Sequence, residues 1–106
     1  MSQPQFLYLI TSGWKTGKKH RIEIWFVEYA KKYYVMSEHR EQAHWVQNIN
    51  HNSKITSNVS GKTLEGTARV VDAVKELELV KRISELMMKK YKWNQGLIVE
   101  ITPGST

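Results

Sequence analysis

The sequence predicts a small, mostly antiparallel β-barrel with two helices closing gaps in its wall, in the order βββ-α-ββ-α-β. Three observations carry that expectation. Three β-branched and aromatic runs follow one another near the N-terminus, with connections too short for crossover helices, so they form a meander and not a parallel sheet. A second pair of runs meets across a glycine-containing turn. Two further segments repeat their apolar residues at three- and four-residue steps, and such helices must lay one face on the sheet. At 106 residues the chain is read as one domain, 1–106, with a core that needs no staples.

The first strand is the run Phe6 to Ile10. The second begins at Ile22 and alternates: Ile22, Ile24 and Phe26 face the core, while Arg21, Glu23, Trp25 and Val27 face a surface or a site wall. The segment 29–32 turns the chain into a third strand, Tyr33 to Ser37. From Glu38 to Asn52 the period lengthens, with Ala43, Val46, Ile49 and Trp45 toward one helical face. Residues 55–60 and 63–71 form a hairpin across Ser60, Gly61 and Lys62. Asp72 is placed to cap a helix from Ala73 to Lys92, in which Leu77, Val80, Ile83, Leu86, Met87 and Tyr91 recur on one side. Asn94 to Gly96 break it, Leu97 to Ile101 form the last strand, and Pro103 is expected to stop pairing.

Composition excludes several classes. The chain has no cysteine, so disulfides and thiolate metal sites are impossible and a reducing cytoplasm suits it. No apolar run reaches the ~18 residues a membrane helix needs, and Met1 to Gln5 lack the features of a secretion signal. His39 and His44 are five apart and share no helical face, so no metal site is expected. Asp72, Glu76 and Glu78 are read as helix-end charges, which leaves the catalytic residues unknown. A net charge of +6 favours polyanionic partners in general, whether a phosphorylated cofactor or nucleic acid.

The informative stretch is Thr11 to Arg21, between the first two strands. It holds two glycines, three hydroxyls and four cations, the last of them Arg21. Such a tip suits a phosphate cradle, because glycine admits close backbone approach and the other groups donate to anions. It also suits a solvated basic turn. Antiparallel pairing brings the end of the third strand to the same rim, so Ser37 and His39-Arg40 would join Lys15, Lys18 and Arg21 there, with Trp25 and Trp45 as flat walls for a ring. A basic barrel with aromatics could alternatively grip single-stranded nucleic acid by stacking and phosphate contacts.

The run Thr11 to Lys18 followed by Arg21 resembles the T-x-G-R-K-(S/T)-G-x-x-R opening of the flavin/deazaflavin-dependent nitroreductase and quinone reductase family. Tyr34 to Ser37 resembles that family's strand ending in serine, and Trp45-Val-Gln-Asn48-Ile49 its W-x-x-N-(I/L) helix. Gly61 and Ala68 to Val70 match its later hairpin. The resemblance implies a six-stranded split β-barrel related to pyridoxamine 5'-phosphate oxidase-like FMN-binding proteins, working as a cytoplasmic homodimer with the cofactor at the interface. It implies FMN or coenzyme F-420 as cofactor and hydride transfer to a small quinone, nitro or enoyl acceptor, with a non-catalytic flavin-binding protein as the alternative on the same fold and no nucleic-acid partner expected. By position, Lys15, Thr16, Lys18 and Arg21 would meet the cofactor phosphate, Ser37 and Arg40 would follow its chain, and Glu23, Trp45 and Asn48 would line or brace the pocket. A core indole and a helix-capping amide are the structural alternatives for Trp45 and Asn48. Trp14 stands where the family carries arginine, and Glu23 where it often carries a small residue or proline.

Overall fold

The structure, a computed structural model, describes residues 6–104; the N-terminal pentapeptide and Ser105 and Thr106 of the polar tail lie outside them. Six strands alternate with two helices in the expected order: β1 (Phe6–Ser12), β2 (Lys19–Tyr29), β3 (Lys32–Ser37), α1 (His44–His51), β4 (Lys54–Val59), β5 (Lys62–Val70), α2 (Leu77–Tyr91) and β6 (Leu97–Pro103). The strands close as β1-β2-β3-β6-β5-β4, every pairing antiparallel. Closure removes the free sheet edges that a six-stranded open sheet would carry.

Alternation decides what fills the barrel. Leu7 and Leu9 of β1 face inward opposite Ile24 and Ile22 of β2, and Phe26, Val35, Ile55, Ala68, Val99 and Ile101 complete the interior. α1 crosses one end of the barrel and sends Val46 and Ile49 into that same cluster, so it acts as a plug. A second cluster lies outside the wall, where α2 lays Ile83 and Met87 on Val27, Tyr34, Met36, Val71 and Ile98. Val27 is therefore buried beneath α2 and is no surface residue.

Several boundaries differ from those the sequence predicts. The first two strands run on to Ser12 and back from Lys19, so the tip shrinks to residues 13–18, closed by hydrogen bonds from Gly13 N–H to the Lys18 carbonyl and from Gly17 N–H to the Gly13 carbonyl. The first helix is shorter than expected, since a 3-10 turn over Arg40–Gln42 precedes it. α2 starts at Leu77, not Ala73: Asp72 Oδ1 accepts the N–H groups of Val74 and Lys75 in a separate turn, and Glu76, the N-cap position of the helix, gives no side-chain cap. Leu77 is consequently more than half exposed and lies off the apolar face. Pro103 does pair, opposite Gly66, because it stands beyond the end of β3 and only β5 flanks it. Gly66 is required there, since a Cβ would sit 2.2 Å from the Thr102 carbonyl oxygen.

Candidate functional site

The wall opens between β2 and β3. The β2–β3 ladder stops at Phe26–Val35, although β2 continues to Lys19 and β3 to Ser37. Beyond that point β2 stays with β1, while the chain leaving β3 turns away. Ser37 makes the turn: its buried hydroxyl donates to the Arg40 carbonyl at 3.0 Å, and Arg40 itself takes a left-handed φ of 52°. The 3-10 turn and α1 then carry Ala43 and Trp45 into the gap, where both pack against the barrel core.

The edge of β2 at this splay is unpaired. The Tyr91 hydroxyl accepts the Phe26 N–H at 3.1 Å and donates to the Phe26 carbonyl at 2.5 Å, so the polar groups of Phe26 point away from β3, toward Tyr91. By alternation, Ile22 and Ile24 turn their backbone groups to β1, and Glu23 and Trp25 turn theirs toward the β3 side, where Met36 is still opposite Trp25 by register and the ladder has ended before Glu23. Donors and acceptors of main-chain geometry thus border the opening.

A cavity of about 570 Å³ fills the splay, a size suited to a small-molecule ligand. Trp25, Trp45 and Trp93 wall it, Met36 and Met87 contribute apolar surface, and Glu23, Ser37, Glu38 and His39 supply polar groups. Trp25 is held by parallel stacking on Tyr91, with centroids 4.7 Å apart and planes within 1°, and by an edge contact with Trp93 at 6.4 Å. Burial pushes the Tyr91 hydroxyl above its ordinary pKa, and its bond to Phe26 opposes this in part.

Three of the sequence-predicted site residues, Glu23, Ser37 and Trp45, line this cavity; the other six do not. Lys15, Thr16 and Lys18 stand exposed on the hairpin tip, with Lys15 Nζ 4.9 Å over the Trp14 ring and Thr16 Oγ1 accepting the Lys18 N–H. Arg21 lies flat against Tyr8, its Cζ 4.1 Å from the ring centroid, two residues or roughly 7 Å of strand beyond Glu23. Arg40 contributes its carbonyl to Ser37. Asn48 is buried away from the opening: Nδ2 donates to Thr11 Oγ1 at 3.0 Å and Oδ1 accepts the Trp14 N–H at 3.3 Å. It ties the tip to α1, helped by Trp14 stacking on His51 at 4.4 Å. All these groups share one end of the barrel, because Ser12, Lys19 and Ser37 are strand ends on the same rim.

Trp93 is the wall that sequence reasoning missed. It follows Lys92, which ends α2 in the left-handed conformation (φ 61°) and swings the chain back over β2. A glycine at that position would have signalled the turn; lysine does not. Among the described residues no group of three His, Asp or Glu side chains is placed to hold a metal, and no helix is long and apolar enough to cross a membrane.

Residues 1–100 match the family model described as F420H(2)-dependent quinone reductase. No curated protein is significantly similar in sequence. Solved structures share the fold at low identity. A candidate pyridoxamine 5'-phosphate oxidase from Listeria innocua superposes with a TM-score of 0.74 at 13% identity, over 96% of this chain and 86% of that one. A FAD-binding protein from Mesorhizobium loti gives 0.75 at 12%, over 96% and 83%. A chain that forms a domain-swapped dimer gives 0.62 at 21%, over 94% and 81%. The architecture is that of the pyridoxamine 5'-phosphate oxidase-like split barrels.

Proposed function

The chain belongs to the F420H(2)-dependent quinone reductase family, and on that premise we propose that it binds FMN or coenzyme F-420 and serves hydride transfer to a small quinone, nitro or enoyl acceptor. The observation that carries this reading is the tryptophan-walled cavity at the splay, set on the same rim as the cationic tip. A planar ring in that slot would lie among Trp25, Trp45 and Trp93, with its polar edge toward the unpaired backbone of Glu23. The phosphate end would then extend past Glu23 to Arg21 and on to Lys15, Thr16 and Lys18, while Ser37 and Arg40 border the connecting chain.

The donor set fits such a group: flat apolar walls for the ring, main-chain donors and acceptors for its edge, and cations farther out for a phosphate. When bound, the cofactor supplies the hydride chemistry itself. This chain's residues orient the ring, exclude water from its faces and hold the anionic end. Asn48 acts one step back, by fixing the tip that carries the lysines. Two copies related by a dimer axis could share the exposed aromatic face that includes Phe6 and Trp25, and the domain-swapped neighbour supports assembly in pairs.

Native mass spectrometry of the purified protein mixed with FMN or coenzyme F-420 tests the reading. A one-to-one adduct with either, lost on Arg21→Ala and on Ser37→Ala with only a modest dependence on salt, supports it. Bound oligonucleotide with steep salt dependence, or no adduct with either cofactor, overturns it.

A further inference from the structure

We infer that Tyr91 is a positioning residue for the slot: from the end of α2 it holds the Trp25 ring and the Phe26 main chain, and so sets the wall against which a planar ligand lies. This deepens the functional reading by naming the residue that orients its ring-binding wall. It rests on that reading for the identity of the ring alone.

β2 fixes where the Trp25 side chain begins but not where its ring lies. The residue is 43% exposed, and an indole free on one side of a strand has several staggered positions open to it. Tyr91 removes that freedom. Its ring lies flat on the indole, and Trp93 closes one edge of the same indole. A stacked pair adds about 1 kcal/mol beyond the area it buries, enough to favour one ring position about fivefold. Tyr91 itself stays out of the cavity lining, so it reaches a ligand only through what it holds.

The phenol also anchors the strand. Among the described residues β1 pairs with β2 no further along than Trp25, and the ladder with β3 begins at Phe26. Phe26 is therefore the rung at which β2 passes from one partner to the other. Its N–H and its carbonyl both go to the Tyr91 hydroxyl. Lys90 Nζ adds a bond to that carbonyl at 3.1 Å and lies 4.7 Å over the Phe26 ring. Tyr91 is the last residue of α2, so the packing of Ile83 and Met87 under that helix decides where its ring and hydroxyl stand. The helix outside the barrel is coupled in this way to the wall of the slot.

Two substitutions separate the contacts: Tyr91→Phe keeps the stack and removes the hydroxyl, and Tyr91→Leu removes both. Ile83→Val trims the buried face of α2 without touching Trp25 and controls for simple destabilisation. In protein carrying 5-fluorotryptophan, the Trp25 resonance is identified by its absence in Trp25→Phe, and fluorine NMR then reads the position of the ring. Hydrogen exchange reads the Phe26 amide against that of Ile24, and titration with lumiflavin, a flavin ring without the phosphate chain, reads the slot. Tyr91→Phe is expected to speed Phe26 exchange about tenfold relative to Ile24 and to leave the Trp25 resonance near its parent position. Tyr91→Leu is expected to move and broaden that resonance and to weaken lumiflavin binding about fivefold or more. Ile83→Val should lower the melting temperature and leave resonance and affinity as in the parent. A resonance and an affinity unchanged in Tyr91→Leu, or changed as much by Ile83→Val, would overturn the inference, as would a parent protein that does not bind lumiflavin. If Tyr91→Leu fails to fold, Phe26 exchange in Tyr91→Phe decides alone, and an unchanged rate refutes it. A cofactor adduct with Trp25 unmoved removes this inference alone. Lumiflavin bound in a Tyr91-dependent way, by a protein that takes neither FMN nor coenzyme F-420, removes the redox reading alone.

Discussion

Asn48 shows how one side chain can be placed correctly near a site and still do different work there. Its amide is buried and spends a donor on Thr11 and an acceptor on the Trp14 N–H. Both partners belong to the β1–β2 hairpin, so Asn48 connects the plug helix to the tip. Asn48→Ala should cost about 2 kcal/mol in denaturant unfolding, since it orphans a buried hydroxyl as well as a main-chain donor. It should also blue-shift no core indole but alter the Trp14 signal, because the Trp14–His51 stack loses its anchor. A variant as stable as the parent would show that solvent satisfies those groups. Ser57 is the opposite case. Its hydroxyl is buried inside the barrel with no hydrogen-bond partner among the described residues. Ser57→Ala should be neutral or stabilising by up to about 1 kcal/mol, because it removes a desolvated polar group and leaves little void. A loss above that would place a water on Ser57 Oγ. The W-x-x-N pattern made Asn48 visible in the sequence, whereas its direction, toward the tip and away from the cavity, depends on where α1 crosses the barrel.

At the scale of elements, three neighbouring strands share one charge cluster that no sequence pattern announces. Tyr34 of β3, Glu100 of β6 and Arg69 of β5 are cross-strand partners in a row. The Tyr34 hydroxyl donates to Glu100 at 2.7 Å, Arg69 Nε donates to Glu100 at 2.9 Å, and Arg69 forks onto Glu76 at the entry to α2 with bonds of 2.9 and 2.6 Å. Burial alone would raise the Glu100 carboxyl, but hydrogen bonds from Arg69 and Tyr34, with the charges of Arg69 and Lys32, hold it below the ordinary range. Hydrogen bonds from Arg69, then the Asp72 N–H, bring Glu76 down to about 2. Desolvation, then the bond to Glu100, pushes the Tyr34 phenol up. Both carboxyls are more acidic folded than unfolded, so they favour the folded state above pH 4.5 and that contribution fades as pH falls toward 2. Arg69→Ala should cost about 2 kcal/mol at neutral pH, less than a fully buried pair because the guanidinium is half exposed, and should move the acid-unfolding midpoint upward. An unmoved midpoint would assign acid sensitivity elsewhere. Lys92, in the left-handed cap of α2, gives a second test: Lys92→Gly should raise stability by up to about 1 kcal/mol in thermal melts. The strands, the hairpins and both helices were legible because period two and period three to four differ in the sequence itself. The true start of α2 was not, since Asp72 is a good cap in isolation, and here it caps a separate turn whose Glu76 is engaged by Arg69.

For the whole molecule, the decisive feature is that a barrel closed by six strands is left open along part of the β2–β3 seam. Cation-rich tip, serine-ended strand and tryptophan helix could all be read from the chain, and their convergence on one rim followed from antiparallel order. The seam could not, because nothing local says that a strand long enough to pair will not do so. The open seam predicts an alternating pattern of amide exchange along β2. Ile22 and Ile24 turn their N–H groups to β1 and should exchange slowly, while Glu23 turns its own to the splay and should exchange fast in ligand-free protein. Saturation with the bound cofactor should slow Glu23 selectively, leave Ile22 and Ile24 unchanged, and raise the melting temperature, since about 2.7 kcal/mol accrues at a hundredfold excess over Kd. Slow exchange at all three amides without ligand would put another chain across the seam. Protection confined to the tip would mean that an anionic end binds there while the ring never enters the slot.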